Sequence, residues 1–106
     1  MACKIEFLPE AQEEFEGLDK SVRREIARRI DALAGNPMLG KPLGNKFGAD
    51  LTGFYKLYVS RKKYRIVYRF RGGDIEIIEI LGIGKREKEE IYRLVAARLK
   101  TAKRKS

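Results

Sequence analysis

Apolar and polar residues alternate over residues 3–8 (Cys-Lys-Ile-Glu-Phe-Leu), the period-two spacing of a strand with one buried face. The period changes at Pro9, a residue suited to the first turn of a helix because its missing N–H is not needed there. Ala11, Phe15 and Leu18 then share one helical face, with Glu10, Glu13, Glu14 and Glu16 largely off it, and the early acids complement the helix N-terminus. After a short break over Gly17–Lys20, Val22, Ile26, Ile30 and Leu33 form the apolar stripe of a second helix. Gly35-Asn36-Pro37 stops it. The chain therefore opens as a strand followed by a helical hairpin.

Residues 36–53 carry Gly40, Pro42, Gly44, Gly48 and Gly53 and read as a long irregular connection. Such a loop inside a compact domain is either functional or a spacer. Phe54–Val59, Tyr64–Arg71 and Ile75–Leu81 follow in quick succession, each rich in β-branched and aromatic residues. Ser60–Lys63 and Gly72-Gly73 supply tight turns, which predicts an antiparallel meander. Ile75, Ile77, Ile78 and Ile80 make both faces of the last strand apolar and predict an interior position for it. Ile91, Leu94, Val95 and Leu99 return to helical spacing within Arg86–Leu99, and Lys100–Ser106 is a basic tail without an acid. The expected fold is a single α+β domain over 1–106, in the order β-α-α-β-β-β-α. It has a four-stranded, mainly antiparallel sheet, the hairpin on one face, the other face partly open and the C-terminal helix at the edge.

Alternation along the strands separates two sets of side chains. Phe54, Lys56 and Tyr58 fall on one face of their strand, and Arg65, Val67, Arg69 and Arg71 on one face of the next. Tyr64, Ile66, Tyr68 and Phe70 are the natural core set. If Lys56 and Arg65 share the open face, the sheet presents cations beside aromatic rings, a combination that suits phosphate contact and base stacking. Taken singly, each of these residues is more simply a solvated strand position; the clustering is what points to RNA.

Charge and composition sharpen this picture. The net charge of +9 over 106 residues favours a polyanionic partner. Histidine is absent, which removes the usual general base near neutral pH, the histidine-dependent triads and most zinc sites. Catalysis would have to rest on Lys, Arg, Tyr or carboxylates. Cys3 is the lone cysteine, so there is no disulfide framework and no multi-cysteine metal site. No apolar run is long enough to span a bilayer, and Met1-Ala2-Cys3-Lys4 leads into the first strand without a signal-peptide core. The expectation is a cytoplasmic protein with no cofactor, no metal and no membrane partner.

Residues 51–94 resemble the RelE branch of the RelE/ParE toxin superfamily. Tyr64-Arg65-Ile66-Val67-Tyr68 and Gly84-Lys85-Arg86 are characteristic pieces in the family's order and spacing. The front half is similar too, through Phe7-Leu8-Pro9, Ala11, Phe15, Leu18, Ile26, Ile30, Leu33 and Asn36-Pro37, so the likeness spans roughly residues 4–99.

The resemblance implies the toxin of a type II toxin–antitoxin pair, an endoribonuclease (mRNA interferase) that cuts mRNA in the ribosomal A site and so inhibits translation. It places Lys56, Arg65, Arg86 and Tyr92 at the family's catalytic positions. Tyr58, Arg61, Lys62, Arg69 and Lys85 are expected to bind RNA, and Tyr58 stands where the RelE prototype has a second lysine. The implied partners are mRNA, the ribosome and a cognate antitoxin in a hetero-oligomer. Two other functions fit the same pattern: a ParE-like inhibitor of DNA gyrase, and a basic RNA-binding module without catalysis.

Overall fold

A computed structural model of the chain describes residues 3–44, 51–59, 63–72, 75–85, 95, 97 and 98. The first strand, β1 (Lys4–Phe7), feeds directly into α1 (Pro9–Glu16), with Pro9 at the first helical position. Leu8 supplies the extended N-cap, and its N–H is taken by the carbonyl of Ile80 at 3.0 Å, so the helix start is docked on the sheet. α2 (Lys20–Gly35) buries Ile26, Ile30 and Leu33, the stripe that its sequence spacing predicts. Asn36 ends it in an extended conformation and Pro37 forbids another helical turn. The Cys3 N–H reaches the Ala34 carbonyl at 2.8 Å, which closes the hairpin back onto the start of β1.

The sheet has five strands, not four. β2 (Lys41–Gly44) lies inside the stretch that reads as irregular loop; β3 (Leu51–Val59), β4 (Tyr64–Arg71) and β5 (Ile77–Lys85) follow. The order is β1-β5-β4-β3-β2, with β1 parallel to β5 and every other pair antiparallel. β2 escapes sequence pattern because Leu43 is its one large apolar residue, and Pro42 and Gly44 read as breakers. At a sheet edge both are tolerated, since a proline there loses only a bond that no neighbour offers. Leu43 is 1% exposed, which is the packing that holds the strand down. β3 also begins three residues before its expected start. β5 is displaced toward the C-terminus relative to Ile75–Leu81: Ile75 lies outside it, 65% exposed, while Gly82 and Gly84 are inside. β5 does occupy an interior position, between β1 and β4.

The hairpin covers one sheet face. Ala11, Ile26, Ile30 and Leu33 pack there against Leu57, Val59, Ile66, Tyr68, Ile78, Ile80 and Ile83. Ile80 and Ile83 both reach this core because β5 is irregular: Val67 pairs with Gly82 and Tyr68 with Ile80, so Leu81 is a bulged extra residue. Burying these apolar side chains, at roughly 25 cal/mol per Å² of apolar surface, is the main force holding the hairpin to the sheet.

β1 ends at Phe7, which leaves the β5 backbone without a neighbouring strand on that side beyond Ile80. A side-chain pair fills the gap. Glu14 of α1 accepts the Ile83 N–H at 3.2 Å, and Arg98 donates to the Leu81 carbonyl at 2.9 Å. The two side chains also meet in a two-point ion pair at 3.0 and 2.9 Å. Val95, Ala97 and Arg98 are helical and Val95 is fully buried, as expected of a C-terminal helix docked on the domain; residues 86–94 and 99–106 lie outside the described residues. Among the described residues no helix is long and apolar enough to cross a membrane.

Candidate functional site

The strand pairings turn the sheet face away from the hairpin into rows of neighbouring side chains, because directly opposed residues share a face. One row is Tyr58–Arg65–Gly84 and the next is Lys41–Lys56–Val67–Gly82. Past the bulge at Leu81 come Phe54–Arg69–Glu79–Glu6 and then Arg71–Ile77–Lys4. Lys56 and Arg65 therefore do share a face, as the proposed site requires.

The first two rows hold cations, a tyrosine and two glycines, with no carboxylate. Lys56 Nζ sits over the Tyr58 ring, 5.2 Å from its centre, a cation–π contact. Arg65 is 4% exposed, an unusual place for a guanidinium. A guanidinium so placed is desolvated, which is costly unless it is paired or hydrogen-bonded. Gly84 and Gly82 face Arg65 and Val67 across the strand and place no side chain beside them. Lys56, Tyr58 and Arg65 on one face are the kinds of group that contact phosphate and stack on bases.

The lower rows are different. Glu79 Oε1 accepts from Arg69 Nη2 and Arg71 Nη1, each at 2.8 Å. Burial pushes the Glu79 carboxyl up, but the hydrogen bonds from Arg71 and Arg69 outweigh it and hold the group below the usual carboxylate range. The same bond raises Arg71 above its ordinary value. Arg69 also lies 5.6 Å from the centre of the Phe54 ring. Arg69, which the sequence places among the RNA-binding residues, is thus engaged with a carboxylate and an aromatic ring.

The remaining expected residues divide as follows. Lys85 is exposed at the end of β5, and its pairing with Tyr64 places it on the hairpin side, away from Lys56 and Arg65. Arg61, Lys62, Arg86 and Tyr92 lie outside the described residues.

Sequence reading missed Lys41 because its strand carries no strand pattern. It also missed Glu79, although one signal was present: a single acid inside Ile77-Ile78-Glu79-Ile80-Leu81 must find a partner to be buried there.

The path that brings Lys41 to this face is tightly built. The Tyr68 hydroxyl is fully buried; it donates to the Pro37 carbonyl at 2.8 Å and accepts the Gly40 N–H at 2.9 Å. Burial raises the pKa of the phenol, so it stays a neutral donor. Gly40 lies so close to β3 that a Cβ there would meet the Lys56 carbonyl oxygen and the Tyr68 hydroxyl at 2.6 Å each. Only glycine allows that approach.

The family model described as "ParE toxin of type II toxin-antitoxin system, parDE" matches residues 5–90. The chain belongs to this toxin family. Within the RelE/ParE superfamily it is RelE-like. It is 26% identical over 103 residues to an Escherichia coli protein described as a RelE-like toxin, covering 94% of this chain and all of the relative. Solved structures share the fold. A doubly arginine-to-alanine-substituted E. coli toxin RelE in the free state aligns with a TM-score of 0.75 at 23% identity, over 93% of this chain and 99% of that one. The toxin of the intact E. coli RelBE toxin–antitoxin complex aligns at 0.65 and 21% identity, over 82% and 100%. Both the hairpin and the mixed five-stranded sheet are thus those of the toxin fold.

Proposed function

We propose that this toxin is a ribosome-dependent endoribonuclease that cuts mRNA in the ribosomal A site and so stops translation. The observation that carries the reading is the grouping of Lys56, Tyr58 and the buried Arg65 on one face, beside two glycines and away from any described carboxylate. RNA needs no external nucleophile. Its 2′-oxygen attacks the adjacent phosphorus, the P–O2′ bond forms, the P–O5′ bond breaks, and a 2′,3′-cyclic phosphate and a 5′-hydroxyl result. The protein must align the 2′-oxygen, stabilise the added negative charge and manage two protons.

Arg65 and Arg86 suit the charge, because a guanidinium stays cationic and forks onto phosphate oxygens. Lys56, held against the Tyr58 ring, adds a third cation. Either Lys56 or Tyr92 takes the 2′ proton, and Tyr58 offers a base-stacking surface where the RelE prototype has lysine. The account uses no histidine, no metal and no cofactor. Two of the solved relatives are E. coli RelE bound to an antitoxin peptide and the RelBE complex. By the same likeness this chain, acting in the cytoplasm, forms a hetero-oligomer with a cognate antitoxin that neutralises its basic face.

A second reading has one observation in its favour, the matching family model being that of ParE toxins. Under it the chain is a non-nuclease inhibitor of DNA gyrase. Primer extension on an mRNA, with and without ribosomes, alongside a gyrase supercoiling assay, separates the two. Cuts that require ribosomes support the first reading; gyrase inhibition without cuts supports the second.

A further inference from the structure

We propose that Tyr68 is a positioning residue for Lys56. From the opposite side of the sheet its hydroxyl holds Gly40 against the Lys56 backbone, and so fixes where the Lys56 ammonium meets RNA. This rests on the reading of Lys56 as part of the RNA-cutting site.

Tyr68 is fully buried in the core beneath the hairpin, so its own side chain touches no RNA. A phenylalanine would fill the same place without a polar atom to satisfy, and a buried hydroxyl is costly unless it is hydrogen-bonded. The extra oxygen is spent on one segment: it donates to the Pro37 carbonyl at 2.8 Å and accepts the Gly40 N–H at 2.9 Å. Gly40 is thereby seated between two surfaces. A Cβ on it would lie 2.6 Å from the Lys56 carbonyl oxygen and 2.8 Å from Tyr68 Cε1. The next residue, Lys41, pairs with Lys56, but the ladder there is a weak clamp: β2 has four residues, Pro42 offers no N–H, and the register slips before Gly44. On the other side of β3, Lys56 pairs with Val67, and the Tyr55 ring beside it stacks on the Tyr68 ring at 5.4 Å and 20°. Tyr68 therefore grips the Lys56 position twice, through Gly40 and through Tyr55. The Lys56 side chain has its own rest on the outer face, with Nζ 5.2 Å from the centre of the Tyr58 ring. What Tyr68 supplies is the fixed backbone from which that side chain reaches.

The test is single-turnover cleavage of mRNA on programmed ribosomes by the full chain in saturating excess. The rate constant is then that of the folded complex, and a smaller folded fraction does not lower it. Tyr68→Phe and Gly40→Ala should each slow cleavage by at least about 10-fold, since a 1 Å misplacement can cost about 100-fold. In a Lys56→Gln chain, adding Tyr68→Phe should slow cleavage further by less than about 2-fold, because a residue that acts through Lys56 has nothing left to position. A merely structural role would multiply the two losses instead. Ile30→Val, which loosens the same core from α2, should cut at the wild-type rate. The proposal is overturned if Tyr68→Phe cuts at the wild-type rate, if its full loss persists in the Lys56→Gln chain, or if Ile30→Val slows cleavage as much. A Lys56→Gln chain that cuts at the wild-type rate, or a wild-type chain that does not cut, overturns the reading of Lys56 itself and the proposal with it.

Discussion

Replacing Tyr68 with phenylalanine deletes one oxygen and leaves the ring packing in place. The deleted hydroxyl ties the 36–40 turn to the sheet interior: it serves the Pro37 carbonyl and the Gly40 N–H at once. An orphaned, fully buried backbone group costs about 1–3 kcal/mol. Pro37 and Gly40 are half-buried, so water reaches them in part and the lower end applies to each. The expected loss is therefore about 2 kcal/mol, which for a domain of this size lowers Tm by about 8–16 °C. Urea denaturation should show a lower midpoint with an unchanged m-value. Gly40→Ala perturbs the same junction from the other side, since its Cβ would sit 2.6 Å from both the Lys56 carbonyl oxygen and the Tyr68 hydroxyl. The Lys56 carbonyl is backbone and cannot swing away, so overpacking should cost about 1–3 kcal/mol. In Gly40→Ala/Tyr68→Phe the hydroxyl clash is gone while those with the Lys56 carbonyl and the ring carbon Cε1 (2.8 Å) remain, and the combined loss should be smaller than the sum. A Tyr68→Phe chain within about 0.5 kcal/mol of wild type, the range of an ordinary surface change, would refute the reasoning.

Three further outcomes are expected. Arg98→Ala should cost about 1–3 kcal/mol, because it leaves the Glu14 carboxylate and the Leu81 carbonyl without their shared partner, and a double-mutant cycle with Glu14→Gln should reveal a favourable coupling. Because Glu79 is held below its ordinary value in the folded state, the unfolded chain binds its proton first; the stability that this group contributes is complete at neutral pH and is lost as pH falls from about 4.5 through the folded value. Tm measured from pH 6 to pH 2 should drop less steeply in Glu79→Gln than in wild type, and parallel curves would count against it. Tyr58→Lys should retain or raise ribosomal cleavage; a loss of thermal stability with no change in cleavage by the folded fraction would make Tyr58 a packing residue.

Where apolar spacing was strong, structure followed it. The α2 stripe of Ile26, Ile30 and Leu33 is buried as its period requires, whereas β4 is buried on both faces from Arg65 to Tyr68, so its alternation told which side chains share a face but not which are exposed. The shared face of Lys56 and Arg65 was legible for the same reason, since two adjoining strands with a tight turn have little freedom of register. The misses have one physical cause. β2 and the end of β5 are strands by virtue of what they pair with, not of their own residues: Lys41-Pro42-Leu43-Gly44 and Gly82–Lys85 contain glycine or proline that local propensity disfavours, and tertiary pairing overrides it. Missing β2 meant missing Lys41. The Arg69–Glu79–Arg71 and Glu14–Arg98 pairs join residues 8 to 84 positions apart, and no local pattern encodes such a distance.

The most direct test of the central claim is the rate at which the purified chain cuts mRNA on programmed ribosomes, compared between wild type, Lys56→Gln and Arg86→Ala. Loss of one preorganised charge partner for the transition state should slow cleavage by roughly 100-fold or more in each variant, with the urea midpoint unchanged. Wild-type cleavage only when ribosomes are present, and that slowing in both variants, is the predicted result. Variants that cut at the wild-type rate, or a wild-type chain that leaves ribosome-bound mRNA intact, would contradict the account.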